Sequence, residues 1–371
     1  MAVLEFKNVT KNYGDVPALK NVSFQTRDGE FLVILGPSGA GKTTTLKITC
    51  GLVNPNEGEV VLDGENITKK PPYARDISMT FENYSLYPHM SVFDNMAYPL
   101  RAVKGQYTEA EIKERVEGVA TMLHIEMLLN RFPAEASGGQ KQRIALGRTM
   151  VRKPRIYLLD EPLAHLDAKI RVELREEFHR IEALQQTTTV YVTHDYIEAL
   201  SLGDRIMILH EGELLQIGTP DQVYNHPLTL EVARQVGQPA INQVRCAIRR
   251  EGGKVRLQAE EEPSVTFSLL PEQETLLKKY KKEKILLGLR PKDISITPNG
   301  DANEMDSVVD VFQPLGSEGV LTSKAGNLTL IGLIDPEAQV RHDQPVKLYL
   351  STGLFYFFDD SSKENLAVTL S

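Results

Sequence analysis

"LGPSGAGKTTTL", Leu35 to Leu46, is the stretch on which the reading of this chain turns. It follows the apolar run "FLVIL" (Phe31–Leu35) and opens a segment suited to helix, the strand–loop–helix setting that the pattern G-x-x-x-x-G-K-[ST] requires. Gly36, Gly41, Lys42 and Thr43 fill the fixed positions; Pro37, Ser38, Gly39 and Ala40 lie between, and Thr44 follows. Glycines let successive backbone N–H groups curl around phosphate oxygens, and a helix N-terminus adds a favourable dipole. Lys42 is placed for the β and γ phosphates and Thr43 for Mg²⁺, so the loop predicts a nucleotide site.

A second strand-like run, "RIYLLDEP" (Arg155–Pro162), ends in Asp160 and Glu161. Paired acids at a strand end are common on surfaces. Beside a phosphate loop they take on chemistry: Asp160 suits a water-mediated or outer-sphere role toward Mg²⁺, and Glu161, one residue farther out, suits a general base that polarises an attacking water.

At 371 residues the chain is long enough for two domains or slightly more. Its 41% hydrophobic and 25% charged residues place it among globular proteins, which excludes disorder as the default. The longest apolar runs, "FLVILG" and "LFYFF", fall far short of the roughly 18 residues of a membrane span. The opening "MAVLEFKNVTK" lacks a basic-then-apolar signal region, so a cytosolic chain is expected, reaching a membrane only through a partner. A net charge of −8 and a pI near 5.6 argue against nucleic acid as a partner. Cys50 and Cys246 lack metal-ligand spacing and read as reduced core residues.

From Met1 to about Gln235, strand-like runs ("FLVIL", "RIYLLD", "TTVYVTH", "DRIMILH") alternate with helical segments, the pattern of an α/β unit with a parallel sheet covered by helices. Thr108 and Glu111 form a capping box before a helix whose apolar face is Ile112, Val116, Val119 and Leu123. That helix falls in an expected helical subdomain at about residues 84–152. From about Val236 to Ser371 the texture becomes short β-like runs ("VRCAI", "KVRLQ", "ILLGL", "ISIT", "LTLIGLI", "VKLYLS") separated by turn residues, with one helix at Pro271–Lys282. This predicts a small all-β barrel or sandwich, residues 236–371.

"ASGGQKQRIALGR" (Ala136–Arg148) chooses among phosphate-loop proteins. Ser137, Gly138, Gly139 and Gln140 ahead of a helical run resemble the signature motif of ABC-type ATPases. Small residues at a helix N-terminus make a second anion-binding surface, which in that family closes over the ATP held by the other protomer of a dimer. Other pieces follow in the family's order. Tyr13 in "KNYGDVPAL" resembles the aromatic that stacks on adenine; Asp167 in "LAHLDAK" resembles the D-loop aspartate that reaches toward the dimer partner. His194 in "VTHD" resembles the switch histidine that contacts the γ-phosphate and orients water and base.

"LYPHMSV" (Leu86–Val92) resembles the segment that contacts the transmembrane subunit in carbohydrate importers. "GQPAIN" and "LGLRPKDISI" resemble linker and regulatory-domain motifs of the maltose and glycerol-phosphate importer group. The resemblance covers the whole chain. It implies an ABC-type nucleotide-binding domain followed by an OB-like regulatory domain. It also implies ATP and Mg²⁺ as cofactor set, with Glu161, His194 and Lys42 as catalytic residues. The implied partners are a second ATPase subunit, identical or not, transmembrane permease subunits at the cytoplasmic face of the membrane, and indirectly an extracytoplasmic solute-binding protein. Solute identity lies in those other chains.

Two positions depart from the family. Glu82, in "SMTFENYSLYPHMSVFDN" (Ser78–Asn95), stands where glutamine is usual, at the Q-loop residue that touches Mg²⁺ or its water and links the nucleotide site to the membrane subunit. As a Mg²⁺ ligand the carboxylate favours ionisation; facing phosphate, it is repelled and slows hydrolysis. Ala136 replaces the usual leucine of the signature, a loss of apolar bulk only. With Lys42, Asp160, Glu161 and His194 all present, an active enzyme is expected. Two rival readings remain: a weakly hydrolysing regulatory half of a heterodimeric pair, and a soluble non-transport ABC ATPase.

Overall fold

The computed structural model describes residues 2–369 except Glu82, Lys104, His165, Gln186, Asn299 and Asp301, with the backbone alone at Glu177, residues 179–185 and Ala302. The chain forms two compact units, Met1–Pro220 and Asp221–Ser371.

In the first unit, β1 (Leu4–Tyr13), β2 (Val16–Gln25), β4 (Glu57–Leu62) and the short β5 (Glu65–Asn66) make an antiparallel sheet in the order β2-β1-β4-β5. A second sheet has the order β10-β9-β3-β8-β7-β6, built from β3 (Phe31–Leu35), β6 (Ile77–Thr80), β7 (Ile156–Asp160), β8 (Thr188–Thr193), β9 (Arg205–His210) and β10 (Glu213–Gly218). Its strands β9, β3, β8, β7 and β6 run parallel; β10 is an antiparallel edge. Every residue of β3, β7 and β8 is buried, which explains why these strands read as unbroken apolar or β-branched runs rather than alternating ones. Phe6, Leu4, Leu32, Ile34, Leu46, Leu158 and Val192 belong to one core that joins the two sheets and α1 (Lys42–Cys50).

The parallel order puts the chemistry on one edge. Leu35 pairs with Thr193, and Val192 with Asp160, so β3, β8 and β7 release their following residues side by side. Ligands of open α/β sheets bind outside such carboxyl ends.

Between β6 and β7 lie α2 (Val92–Arg101), α3 (Glu109–Met122) and α4 (Gly138–Met150). Thr108 caps α3 through the expected box with Glu111. Ile112, Val116 and Leu123 are buried as expected, with Ala120 fully buried where Val119 is only partly so. The unit's remaining helices are α5 (Ala168–Gln185) and α6 (Tyr196–Leu202).

The second unit begins within α7 (Pro220–Asn225) and includes α8 (Leu230–Gln235), so the compact units divide upstream of the Val236 boundary expected from texture. Leu230 and Ala233 pack with Ile241, Leu286 and Phe358. Arg290 is fully buried, donates to the carbonyls of Val236 and Tyr224, and lies 4.0 Å from the Tyr224 ring centre and 5.3 Å from that of Tyr356. Packing and a stacked guanidinium therefore bind the two helices to the strands, which hydropathy texture does not register.

Two five-stranded antiparallel sheets follow. One has the order β13-β12-β11-β14-β20, from β11 (Asn242–Glu251), β12 (Lys254–Ala259), β13 (Thr266–Phe267), β14 (Lys284–Leu289) and β20 (Tyr356–Asp359). The other has the order β15-β19-β16-β17-β18, from β15 (Ile294–Ser295), β16 (Ala302–Pro314), β17 (Gly319–Ala325), β18 (Leu328–Ile334) and β19 (Pro345–Ser351). Val244, Leu257, Leu287, Val309, Leu321 and Leu348 share one core drawn from both sheets. The helix expected at Pro271–Lys282 is α9 (Pro271–Lys279). The fold class is thus a phosphate-loop α/β unit with a helical insertion, followed by a small, mostly β unit.

Candidate nucleotide site

The loop from Gly36 to Gly41 connects β3 to α1. Gly41 has φ +105°, and a Cβ there would lie 2.5 Å from the Ala18 carbonyl oxygen; a Cβ on Gly36 would lie 2.2 Å from that of Leu209. Both positions need glycine because backbone approaches backbone, and Gly41 also because of its conformation. The result is a tight turn that presents the α1 N-terminus to an open cavity of ≈730 Å³.

That cavity is lined by Pro37, Ser38, Gly39, Gly41, Lys42, Thr43 and Thr44 of the loop and helix, by Glu161 and His194, and by Tyr13, Val16, Pro17 and Ala18. Lys42 is 6% exposed; its ammonium donates to the carbonyls of Gly36 (2.9 Å) and Pro37 (3.0 Å) and lies 3.8 Å from a Glu161 oxygen. The Thr43 hydroxyl donates to Asp160 Oδ1 at 3.2 Å. Asp160 is buried, its own N–H bonded to the Thr80 hydroxyl at 3.1 Å. A buried carboxylate beside a hydroxyl is a hard oxygen donor set, and the Lys42 ammonium supplies positive charge in the same cavity.

Glu161 leaves β7 in the left-handed region, φ +46°, a conformation that a non-glycine residue adopts at a cost of about 1–3 kcal/mol. Its N–H is held by the Val192 carbonyl (3.0 Å) and its carbonyl by Gln142 Nε2 (3.0 Å). This turn aims the carboxylate so that its second oxygen meets His194 Nδ1 at 3.0 Å. A carboxylate accepts only, so Nδ1–H is the donor in that contact.

His194 itself is placed by the end of β8. Asp195 caps α6 by accepting from the N–H groups of Ile197 and Glu198, and its N–H donates to Thr193. Buried Glu198 accepts from the hydroxyls of Tyr191 (2.9 Å) and Thr193 (2.8 Å). Burial raises the Glu198 carboxyl above its ordinary value, opposed by those two hydrogen bonds.

Tyr13 is half exposed at the cavity's other wall, with the Lys11 ammonium 5.2 Å from its ring centre. Ala40, within the loop, is buried. Ser137 caps α4 through a reciprocal box with Gln140. Ser137, Gly138, Gly139, Gln140 and Asp167 are not among the described residues that line the cavity; Asp167 is exposed and accepts from the N–H of Ile170. Glu82 lies outside the described residues. Ala136 is buried just before the cap, so its small side chain is sterically accommodated.

Gln142, Arg148 and Glu198 were not singled out from sequence. Gln142 and Arg148 sit on the inward face of α4, and polar residues on the packed side of a helix are the signal that points to them. Among the described residues no cluster of three or more His, Cys, Asp or Glu side chains makes a metal cage. The Thr43 hydroxyl beside Asp160 has the oxygen chemistry of a Mg²⁺ site, which takes one or two protein groups together with substrate phosphates rather than an all-protein cage.

The ABC transporter family model matches residues 19–164. Relatives match end to end. The trehalose/maltose import ATP-binding protein MalK of Thermococcus litoralis is 39% identical, covering 98% of this chain and 99% of its own. The sn-glycerol-3-phosphate import ATP-binding protein UgpC of Yersinia enterocolitica is 37% identical over 98% of each. The osmoprotective compounds uptake ATP-binding protein GgtA of Synechocystis is 38% identical over 97% and 98%. Among solved structures, a dimeric bacterial ABC transporter cassette aligns with a TM-score of 0.55 at 33% identity, covering 58% of this chain and 98% of the cassette. A second structure of that cassette is a post-hydrolysis state bound to ADP and phosphate. This chain belongs to the family of ATP-binding proteins of ABC importers.

Proposed function

We propose that the chain is the ATP-hydrolysing subunit of an importer for a sugar, oligosaccharide, polyol or glycerol-phosphate-like solute. It works at the cytoplasmic face of the membrane, bound to permease subunits. The observation that carries the catalytic part is the meeting of Lys42, Glu161 and His194 at one cavity, with Thr43 bonded to Asp160 beside it. The solute class rests on the import names of the relatives.

In this reading the loop amides and Lys42 hold the phosphates, and Thr43 and Asp160 hold Mg²⁺, which shields the phosphate charge. Glu161 takes a proton from the attacking water. His194 Nδ1–H keeps the Glu161 carboxylate oriented, and its exposed ring reaches over the cavity. Tyr13 offers its face to the base.

Ser137, Gly138, Gly139 and Asp167 stand away from this cavity, which supports their serving the nucleotide of a second ATPase subunit across a dimer. The strand-to-helix segment Leu86–Val92 remains the reading for permease contact. It is ordered by Asn95, whose amide donates to the carbonyls of Tyr87, Met90 and Ser91 while its oxygen accepts from Tyr87 N–H. The β unit is read as regulatory.

The test is Mg²⁺-dependent ATP hydrolysis by the purified chain, followed against protein concentration. A rate that climbs more steeply than linearly supports composite sites in a homodimer. ATP binding without hydrolysis at any concentration, even with membrane partners supplied, overturns the motor reading and leaves a regulatory subunit.

A further inference from the structure

Helix α4 holds three separate backbone segments along its length. Gln142, 5% exposed, donates to the Glu161 carbonyl at 3.0 Å. Six residues on, the Arg148 guanidinium donates to the carbonyls of Ser85 (2.7 Å) and Tyr84 (2.9 Å) and lies 5.5 Å from the Tyr87 ring centre. One residue farther, the Thr149 hydroxyl donates to the Met79 carbonyl at 3.3 Å. The three acceptor regions are the residue after β7, the segment just past Glu82, and β6.

Two of these three regions are backbone under local constraint. Glu161 has φ +46°, Tyr84 φ +61° and Ser85 φ +45°, conformations that non-glycine residues hold only when their surroundings over-determine them. Arg148 is costly to bury: desolvation lowers its guanidinium from the ordinary value, and among the described residues its partners are carbonyls and a ring rather than a carboxylate. A charged fork spent on two consecutive carbonyls fixes the path of that segment with more geometric definition than a single donor can. Between them Ile144, Ala145, Leu146 and Gly147 are buried, so the stretch of α4 that joins the two contacts is packed on its inner side.

Building on the hydrolytic reading above, we propose that α4 is a strut that makes the placement of Glu161 and the path of the Tyr84–Ser85 segment one mechanical variable. Gln142 and Arg148 are its two positioning residues. Ser137, which caps the same helix about 16 Å from Arg148, shares that variable. Neither Gln142 nor Arg148 is among the described residues lining the nucleotide cavity, so both act on turnover rather than on nucleotide capture.

The experiment compares the full chain with Gln142→Met, Arg148→Met and the double variant. Binding stoichiometry and Kd are read with a fluorescent ATP analogue, and steady-state hydrolysis is read alongside. In both single variants full stoichiometry and a Kd within about twofold are expected, with kcat lowered about tenfold or more, since small misplacements of a catalytic group cost this much or more. The double variant should lose much less than the product of the two single losses, because either break frees the same strut. In a further variant, Arg148→Ala, which leaves space for the missing group, millimolar guanidinium should restore part of the rate, and it should restore none to Gln142→Met.

Turnover at the wild-type rate in either single variant, or fully multiplicative losses in the double, overturns the strut. So does a fall in rate matched by an equal fall in binding stoichiometry, which marks a folding defect. Absence of hydrolysis in the wild-type chain, with and without membrane partners, instead overturns the motor reading and the strut with it.

Discussion

Glu161 and His194 leave neighbouring parallel strands, β7 and β8, and meet with the carboxylate 3.0 Å from Nδ1. The contact needs Glu161 in a left-handed conformation, and Gln142 and Val192 hold it there. The opposite carboxylate oxygen lies 3.8 Å from the Lys42 ammonium, so one acid spans the histidine and the phosphate loop.

Replacing Glu161 by glutamine keeps that shape and removes the base. Hydrolysis is expected to fall by about 10²- to 10⁴-fold. ATP binding should hold or tighten, because a negative charge beside the phosphates is lost. His194→Ala should lower kcat with little change in the Kd for ATP. Single-turnover hydrolysis and equilibrium binding on the same preparations check both.

Metal dependence tests the Thr43–Asp160 pair. With Asp160→Asn the Mg²⁺ concentration that half-saturates hydrolysis should rise about 10- to 100-fold, the usual cost of losing a group that orients a metal site. If Glu82 is a Mg²⁺ ligand, Glu82→Gln raises the same concentration. If it faces phosphate, the change leaves that concentration alone and speeds hydrolysis. A Glu82→Gln chain with unaltered Mg²⁺ dependence and transport marks the residue as a tolerated variant.

Arg75 braces the C-terminal end of α1, the helix that the phosphate loop opens. It is 2% exposed and donates to the carbonyls of Ile48 and Thr49 at the end of α1, and to those of Thr68 and Lys70. Arg75→Met leaves these acceptors without their shared donor and is expected to cost about 3 kcal/mol or more. The midpoint of urea unfolding, compared at unchanged slope, measures it.

The buried Glu198 should give stability a pH dependence of definite sign. Its carboxyl is raised from the ordinary 4.5 chiefly by burial. Its contribution is therefore fully present below that value and declines as pH rises through the folded-state value. Glu198→Gln keeps an oxygen to accept from Tyr191 and Thr193 but cannot ionise. The stability of the variant minus that of the wild type should grow with pH across this window; a difference that is flat or falls with pH would show that burial does not dominate.

The phosphate loop, the two acids at the end of β7, the histidine after β8 and the Thr108 cap were legible because each is written in consecutive or closely spaced residues. Loop chemistry, capping and apolar strand runs depend on local backbone geometry, and local sequence carries it. The α/β-then-β division was legible for the same reason, as a change in hydrophobic period. What brings Lys42, Glu161 and His194 to one cavity is the strand order β3-β8-β7. That order is set by pairing between segments far apart in the chain, which no local period records. Gln142 reaching Glu161, Arg148 reaching Tyr84 and Ser85, and Arg290 drawing Tyr224 and Val236 onto the strands are likewise tertiary decisions. In each a polar side chain is wholly or partly buried, and the carbonyl that satisfies it is in reach only once distant segments have packed.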